Sequence, residues 1–226
     1  MKATFFILIL LAMAFSPACS NQRQLITPAP PPAPPSLQRP LPLRAVYYVS
    51  EKTKNFSYQS PDYIPWIIRP TYGIIRPFEI PVGQLFASAA LQAFSEVFQT
   101  VTVVDNLPVA GTYPLLIEPS FENIFLDMVY FPSDARPPHN NLLDVGGSLE
   151  AKLRLTWKGQ PDWQKTYHVA IPAQRILANP WTGEQIAGMV ADAIASLVGT
   201  MAREMTGETD KPAVPLDQWL KSLPKE

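Results

Sequence analysis

Few residues of this chain have the type and spacing that chemistry requires. It contains one cysteine, Cys19, and two histidines, His139 and His168. A single thiol excludes an intrachain disulfide and a four-thiolate zinc site. With only two histidines, the chain has few of the nitrogen ligands that metal centres commonly use. We therefore predict no metal site and no cofactor.

Paired carboxylates could hydrolyse a glycoside if they stood about 5 to 9.5 Å apart. Glu118 and Glu122 could form such a pair, but any chain with 19 acidic residues offers similar ones. His168 shares a strand face with Thr166 and Ala170, which favours a hydrogen-bonded structural histidine. The chain has no G-x-S-x-G elbow, Walker loop, dinucleotide fingerprint or H-E-x-x-H. We predict that it is not an enzyme and has no catalytic residues.

The charge balance excludes another class of function. The chain has 18 basic and 19 acidic side chains among its 226 residues, a net charge of −1, and only 16% charged residues. Binding to nucleic acid requires a clustered basic face. The sequence therefore predicts no nucleic-acid partner.

The N-terminus has the features of an export signal. Lys2 provides a positive start, and Phe5 to Phe15 is an unbroken run of eleven apolar residues. Crossing a bilayer requires about 20 helical residues, so this run is too short for a stable membrane helix. It fits the hydrophobic region of a secretory signal peptide covering residues 1–18.

The segment Ser16-Pro17-Ala18-Cys19 resembles the processing site of bacterial lipoproteins. In that family the cysteine is lipidated, commonly with palmitate among its acyl chains, and becomes the first residue of the mature protein. The resemblance makes Cys19 the lipidation residue, and Ser20 in place of aspartate favours the outer membrane of a Gram-negative bacterium. The alternative is that Ser16 and Ala18 serve an ordinary signal peptidase, which leaves Cys19 as an unmodified thiol.

A proline-rich stretch follows, with eight prolines among the fifteen residues 28–42. Such a segment favours extended polyproline II and would span roughly 45 Å. We interpret residues 19–43 as the lipid-anchor site and a tether that holds a domain away from the membrane. The alternative is a ligand for a proline-recognising groove.

Hydrophobic patterning predicts a globular domain over residues 44–207 and a C-terminal tail over 208–226 with a short amphipathic helix. Strands are expected at 44–50, 100–104, 114–118, 121–131, 149–158 and 163–171. The stripe from Phe86 to Phe98 indicates a helix over 82–98, and Thr182 with Gln185 forms a capping box for a helix to Met205. The fold class is α+β: a four- to five-stranded, mostly antiparallel sheet with two helices packed on one face.

A segment broken by prolines carries an unusual apolar cluster. We interpret this cluster as an apolar contact surface or lipid-binding site, formed by Tyr63, Trp66, Ile67, Tyr72 and Ile74. The alternative is a long loop that packs over the open edge of the core.

The layout as a whole resembles small envelope lipoproteins. The resemblance rests on Arg44–Ser50 (RAVYYVS), the helix–strand pair Leu85–Val104 and the capped helix Thr182–Met205. Auxiliary lipoproteins of ABC-type lipid transporters, LptE-like lipopolysaccharide-assembly lipoproteins and TolB N-terminal-like activator lipoproteins share this order.

The resemblance implies a non-catalytic accessory subunit of an envelope transport or assembly complex. Its domain would face the periplasm, and its partners would be the membrane, reached through the lipid, and an envelope protein complex. Two alternatives are an activator of a cell-wall synthase and a periplasmic domain that binds lipid.

Overall fold

A computed structural model describes residues 23–29, 40–61, 77–109, 111–131, 142–158, 163–178, 181–207, 218–220 and 223. The strands are β1 (Gln24–Leu25), β2 (Leu41–Tyr48), β3 (Tyr58–Gln59), β4 (Phe78–Ile80), β5 (Phe98–Val104), β6 (Leu115–Phe131), β7 (Leu142–Trp157) and β8 (Trp163–Leu177). The helices are α1 (Glu51–Lys54), α2 (Val82–Val97) and α3 (Thr182–Thr206).

The main sheet has five strands in the order β5-β2-β6-β7-β8. Its second half, β6-β7-β8, is an antiparallel meander, but β2 pairs in parallel with both β5 and β6. The α+β class is confirmed, and the sheet is mixed rather than purely antiparallel. The parallel pairs follow from the chain order, since α2 lies between β2 and β5 and a crossover of that length joins parallel strands.

Two helices pack on one face of this sheet, as predicted. The inward stripe of α2 includes Phe86 and Phe94, which are fully buried. From β7 the alternate residues Leu149, Leu153 and Leu155 face the helices. Each such side chain contributes about 1.5–3 kcal/mol of burial free energy.

Helix α3 packs along β8, and side-chain hydrogen bonds join both of its ends to that strand. Thr182, predicted as its cap, is instead its first residue, and its buried hydroxyl donates to the Leu177 carbonyl of β8 at 3.2 Å. At the other end, the Glu204 carboxylate accepts from Lys165 Nζ at 2.7 Å and from the Tyr167 hydroxyl at 2.9 Å. Gly207 ends the helix in the left-handed conformation.

By length and composition, α3 is apolar enough to cross a membrane. Its apolar character has another physical cause in this fold. The stripe that includes Ile186, Val190 and Leu197 is buried against the sheet and α2, and Asp192, on its opposite side, is exposed. The pattern is that of an amphipathic core helix.

A second, three-stranded sheet has the order β1-β4-β3. Strand β1 pairs in parallel with β4, and the next residue, Ile26, donates its N–H to the Glu79 carbonyl at 2.9 Å. The Ile26 side chain is buried in the core. The fold therefore includes chain on the N-terminal side of the proline-rich stretch.

The domain is longer at both ends than the predicted range 44–207. At the N-terminus it includes β1, Ile26 and the start of β2, where Leu43 is buried. At the C-terminus, Leu220 and Leu223 of the predicted amphipathic segment are also buried in the core. The proline-rich stretch thus joins two folded pieces, since Ile26 and Leu43 lie on either side of it.

Candidate functional site

The outer face of the main sheet divides into two regions of different chemistry. Beside the N-terminal half of β6 it is charged, with Glu118 3.6 Å from Arg154. Beside the C-terminal half of β6 it is apolar, with Phe125 60% and Val129 44% exposed. The change of character occurs along the same three strands, β6 to β8.

A β-bulge produces this change on β6. Phe121 pairs with Ala151 and Asn123 with Glu150, so Glu122 is the extra residue. An inserted residue exchanges the two faces of the strand beyond it. Before the bulge the odd-numbered residue Phe121 is buried, and after it the odd-numbered residues Phe125 and Val129 face solvent.

A second bulge, on β8, likewise exchanges the two faces of its strand. Strand β8 pairs with β7 on the side opposite β6. Ile171 pairs with Gly147 and Gln174 with Val145, which leaves Pro172 and Ala173 opposite Gly146. Proline fits here because β8 is an edge strand in the described sheet and a bulge removes one ladder hydrogen bond. Ala173, the second residue of the bulge, lies on the outer face.

Together these strands form a shallow groove of about 380 Å³. Phe125 and Val129 form one wall, Ala173 the other, and Gly146 and Gly147 the floor. A Cβ atom on Gly147 would overlap the Phe125 carbonyl oxygen, and one on Gly146 would lie 3.3 Å from the Ala173 Cα. The two glycines therefore allow the close approach of the backbones that makes the groove.

One ion pair stands at the edge of the groove. The Arg175 guanidinium donates to both oxygens of Asp144, at 2.6 and 2.8 Å. This hydrogen bonding holds the pKa of the Asp144 carboxyl below its usual range. Because both side chains are exposed to solvent, the pair contributes little to stability and serves as a polar rim for an apolar surface.

The lining of the groove suits contact with another apolar surface. Among the described residues no group of three histidine, cysteine, aspartate or glutamate side chains could hold a metal ion. Its lining is apolar apart from Asp127, Ser148 and the Asp144 carboxylate, which already accepts from Arg175. An open, apolar depression with a polar rim is typical of a surface that docks another apolar surface.

The residues singled out in the sequence lie elsewhere. Cys19, His139 and the cluster Tyr63, Trp66, Ile67, Tyr72 and Ile74 are outside the described residues. His168 is largely exposed, and its Nδ1 is 3.7 Å from Glu150 Oε2, too long for a hydrogen bond. The expectation of a hydrogen-bonded structural histidine was therefore wrong.

The candidate acid pair also has ordinary partners. Glu118 lies beside Arg154 on the outer face, and Glu122 accepts from the Ser120 hydroxyl at 2.6 Å at the bulge. Sequence reasoning missed the groove altogether. The Gly146-Gly147 pair between two apolar stretches was the one signal that could have indicated it.

Comparisons with known proteins give only distant likenesses. No family model matches the chain, and no curated protein matches it. A Xanthomonas campestris protein of the DUF330 family is similar in structure over 82% of this chain and 99% of its own, with 14% identity and a TM-score of 0.40. A neuraminyllactose-binding hemagglutinin homolog from Helicobacter pylori is similar over 81% and 91%, with 11% identity and a TM-score of 0.44. At these TM-scores no property of either protein is transferred to this chain.

Proposed function

We propose that this chain is a non-catalytic outer-membrane lipoprotein that serves as an accessory subunit of an envelope transport or assembly complex. The observation that carries the proposal is the open apolar groove of β6, β7 and β8. Phe125 and Val129 keep about half of their side-chain surface exposed there. Burying such side chains against a partner contributes about 25 cal/mol for each Å² removed from water.

The shape of the groove favours a protein partner over a small ligand. Sites for small molecules usually enclose most of the ligand surface within a concave pocket. This groove is shallow and lies on the face of a sheet, so a lipid tail in it would keep much of its surface in water. A lipid-binding domain is therefore the second candidate, supported by the apolar lining but not by the shape.

The activator of a cell-wall synthase is less well supported. That role depends on a tether that carries the domain across the periplasm. Here Ile26 and Leu43 are both buried in the domain, so the proline-rich stretch between them adds nothing to the reach from Cys19. Only residues 20–23 lie between Cys19 and β1.

The proposal is tested by co-purification from detergent-solubilised envelopes of cells that express the full chain. We expect a membrane-embedded transport or assembly protein, identified by mass spectrometry, to be recovered with the wild type. Phe125→Ser combined with Val129→Ser should abolish that recovery, because it removes the apolar walls of the groove.

The matched control is Val103→Ser, which changes an exposed apolar residue on the edge strand β5. It should leave the recovery unchanged. Recovery of the lipoprotein alone, or a loss of partner that is equal for the groove and control variants, would contradict the proposal. Native mass spectrometry of the purified protein tests the second candidate, since retained lipid is expected only if the domain binds lipid.

A further inference from the structure

Among the described residues, the exposed large apolar side chains outside the groove form two groups of three. One group lies on β5 and in the loop after it, within residues 103–109, and the other consists of Leu25, Leu177 and Trp181. Leu25 is 64% exposed, Trp181 62% and Leu177 47%. All three belong to segments that meet at one end of the molecule. That end is defined here as the distal end, where β6 finishes and β7 begins.

The register places Leu177 at the distal end. Leu177 pairs with Leu142, and Leu142 pairs with Phe131, the last residue of β6. Helix α3 starts beside it, because the Thr182 hydroxyl donates to the Leu177 carbonyl at 3.2 Å. Trp181, the residue before Thr182, is therefore at the same end.

Strand β1 lies at the distal end as well. A Cβ atom on Gly183, in the first turn of α3, would overlap Ile26 Cδ1 and lie 3.0 Å from the Phe78 ring. Leu25 is the neighbour of Ile26 in the chain. Three large exposed apolar side chains from three neighbouring segments thus lie at the end of the domain where β1 joins the fold.

The length of chain before β1 limits how far this end can stand from the membrane. Gln24 is five residue steps after Cys19, and a fully extended chain spans at most about 3.6 Å per step, or roughly 18 Å in all. That distance is much shorter than the domain itself, because the 17 residues of β6 alone span about 55 Å at about 3.3 Å per residue. A lipid on Cys19 would hold the distal end close to the bilayer surface.

We propose that the distal end rests on the membrane, with Leu25, Leu177 and Trp181 in contact with lipid. The inference rests on the proposed lipidation of Cys19. The amphipathic indole of tryptophan suits the interface between headgroups and acyl chains. Glu184 is exposed in the first turn of α3, so the contact lies at headgroup depth rather than in the hydrocarbon.

The orientation also explains the position of the groove. Val129 lies only two residues from the end of β6, so a partner docked there would be next to the bilayer. A subunit embedded in the same membrane is the kind of partner that could reach it. The domain would then stand on its distal end, with that end directly on the bilayer surface.

Single introduced cysteines can test the contact in the full, lipidated chain. Leu25→Cys and Trp181→Cys report on the distal end. Val103→Cys is the matched control, 53% exposed and paired through Tyr47 to the level of Ile117 near the start of β6. At about 3.3 Å per residue, this level is roughly 35 Å along the sheet from Val129.

Each variant is labelled with an environment-sensitive fluorophore and reconstituted into vesicles of phosphatidylethanolamine and phosphatidylglycerol that contain a nitroxide-bearing lipid. We expect quenching and a blue shift at residues 25 and 181 and neither at residue 103. Circular dichroism confirms that each labelled chain is folded, and the two distal probes support each other if one substitution perturbs the fold.

The outcomes separate this inference from the proposed function. Lipidated protein whose probes at 25 and 181 are quenched no more than the probe at 103 would overturn the inference while leaving the anchor intact. A protein that carries no acyl chains by mass spectrometry, and whose Cys19 thiol takes up a second label, would instead overturn the proposed lipidation.

Discussion

Ile26 packs directly against Gly183, so closely that a Cβ atom on Gly183 would overlap the Ile26 Cδ1 atom. This contact joins the residue that follows β1 to the first turn of α3, two segments separated by most of the chain. Ile26 is buried, and its N–H donates to the Glu79 carbonyl. Residues 24–26 are therefore part of the folded domain.

Because this contact is so close, we expect one added methyl group at residue 183 to reduce stability. Gly183→Ala should lower the free energy of unfolding by about 1–3 kcal/mol, because the added methyl overpacks the site against Ile26 and Phe78. The matched control is Gly188→Ala in the same helix, where an added Cβ meets nothing within 4 Å. It should stabilise the protein by up to about 1 kcal/mol through helix propensity. Urea denaturation of both variants measures the difference, and equal midpoints would contradict the packing described here.

Ile26 should contribute as much to the free energy of unfolding as a residue in a long core helix or strand. Ile26→Ala should cost about 2–4 kcal/mol, since it leaves a cavity between β4 and α3. Leu25→Ala, one residue away but exposed, should change stability by less than about 0.5 kcal/mol. Thermal and urea unfolding of the two variants provide the measurement. If residues up to 43 formed a separate tether, the two substitutions would have the same negligible effect.

Much of this fold could be predicted because its periodicity is strong. The strand expected at 149–158 lies within or beside β7, and the two long helices expected at 82–98 and from Thr182 to Met205 are both present. The parallel pairing of β2 was missed, although the helix between β2 and β5 requires a crossover. Strand β1 was missed because two residues of strand carry no periodic signal and depend on β4 for their structure.

The groove was missed for a different physical reason. It depends on two bulges, at Glu122 and at Pro172, that reverse which side chains face solvent beyond them. A bulge is fixed by pairing with the neighbouring strand and leaves little trace in the strand that carries it. From the sequence, Phe121–Phe131 could therefore be identified as a strand, but the exposure of Phe125 and Val129 could not be predicted.

The partly buried hydrogen bond between Tyr167 and Glu204, at the C-terminal end of α3, should stabilise the fold. The Tyr167 hydroxyl donates to Glu204 at 2.9 Å, and the tyrosine side chain is buried. Tyr167→Phe removes a hydrogen bond to a charged group and should lower the free energy of unfolding by about 1.5–3 kcal/mol. Tyr48→Phe, on β2, is the control for loss of a partly buried hydroxyl. Equal urea midpoints for the two variants would show that the hydrogen bond from Tyr167 to Glu204 contributes no measurable stability.

We expect the protein to lose stability in alkali because two of its tyrosines have raised pKa values. Burial raises the pKa of Tyr47, and burial together with the Glu204 carboxylate raises the pKa of Tyr167. In the unfolded chain tyrosine ionises near pH 10, so the contribution of these groups is fully present below about pH 10 and falls as the pH rises above it.

The measurement is the urea midpoint of wild type and of Tyr47→Phe between neutral pH and pH 11. The variant loses the hydrogen bond from the hydroxyl to the Ala87 carbonyl, 2.7 Å long, and should be less stable at neutral pH. Its stability should then fall less steeply in alkali, because one group that ionises on unfolding has been removed. Parallel curves for the two proteins would contradict the role of Tyr47.

The last prediction concerns the anchor. Each CH₂ buried in a bilayer contributes about 0.8 kcal/mol, so two or more acyl chains on Cys19 hold a protein stably on a membrane. Cys19→Ala should abolish labelling of the protein by a radioactive fatty acid and leave precursor or a misprocessed form. Cys19→Ser is the conservative companion, since its hydroxyl nearly matches the thiol in size but does not replace it in thioether formation. If the wild type takes up no label, or if either variant takes up as much as the wild type, Ser16-Pro17-Ala18 is an ordinary cleavage site, and the outer-membrane assignment is withdrawn with the anchor.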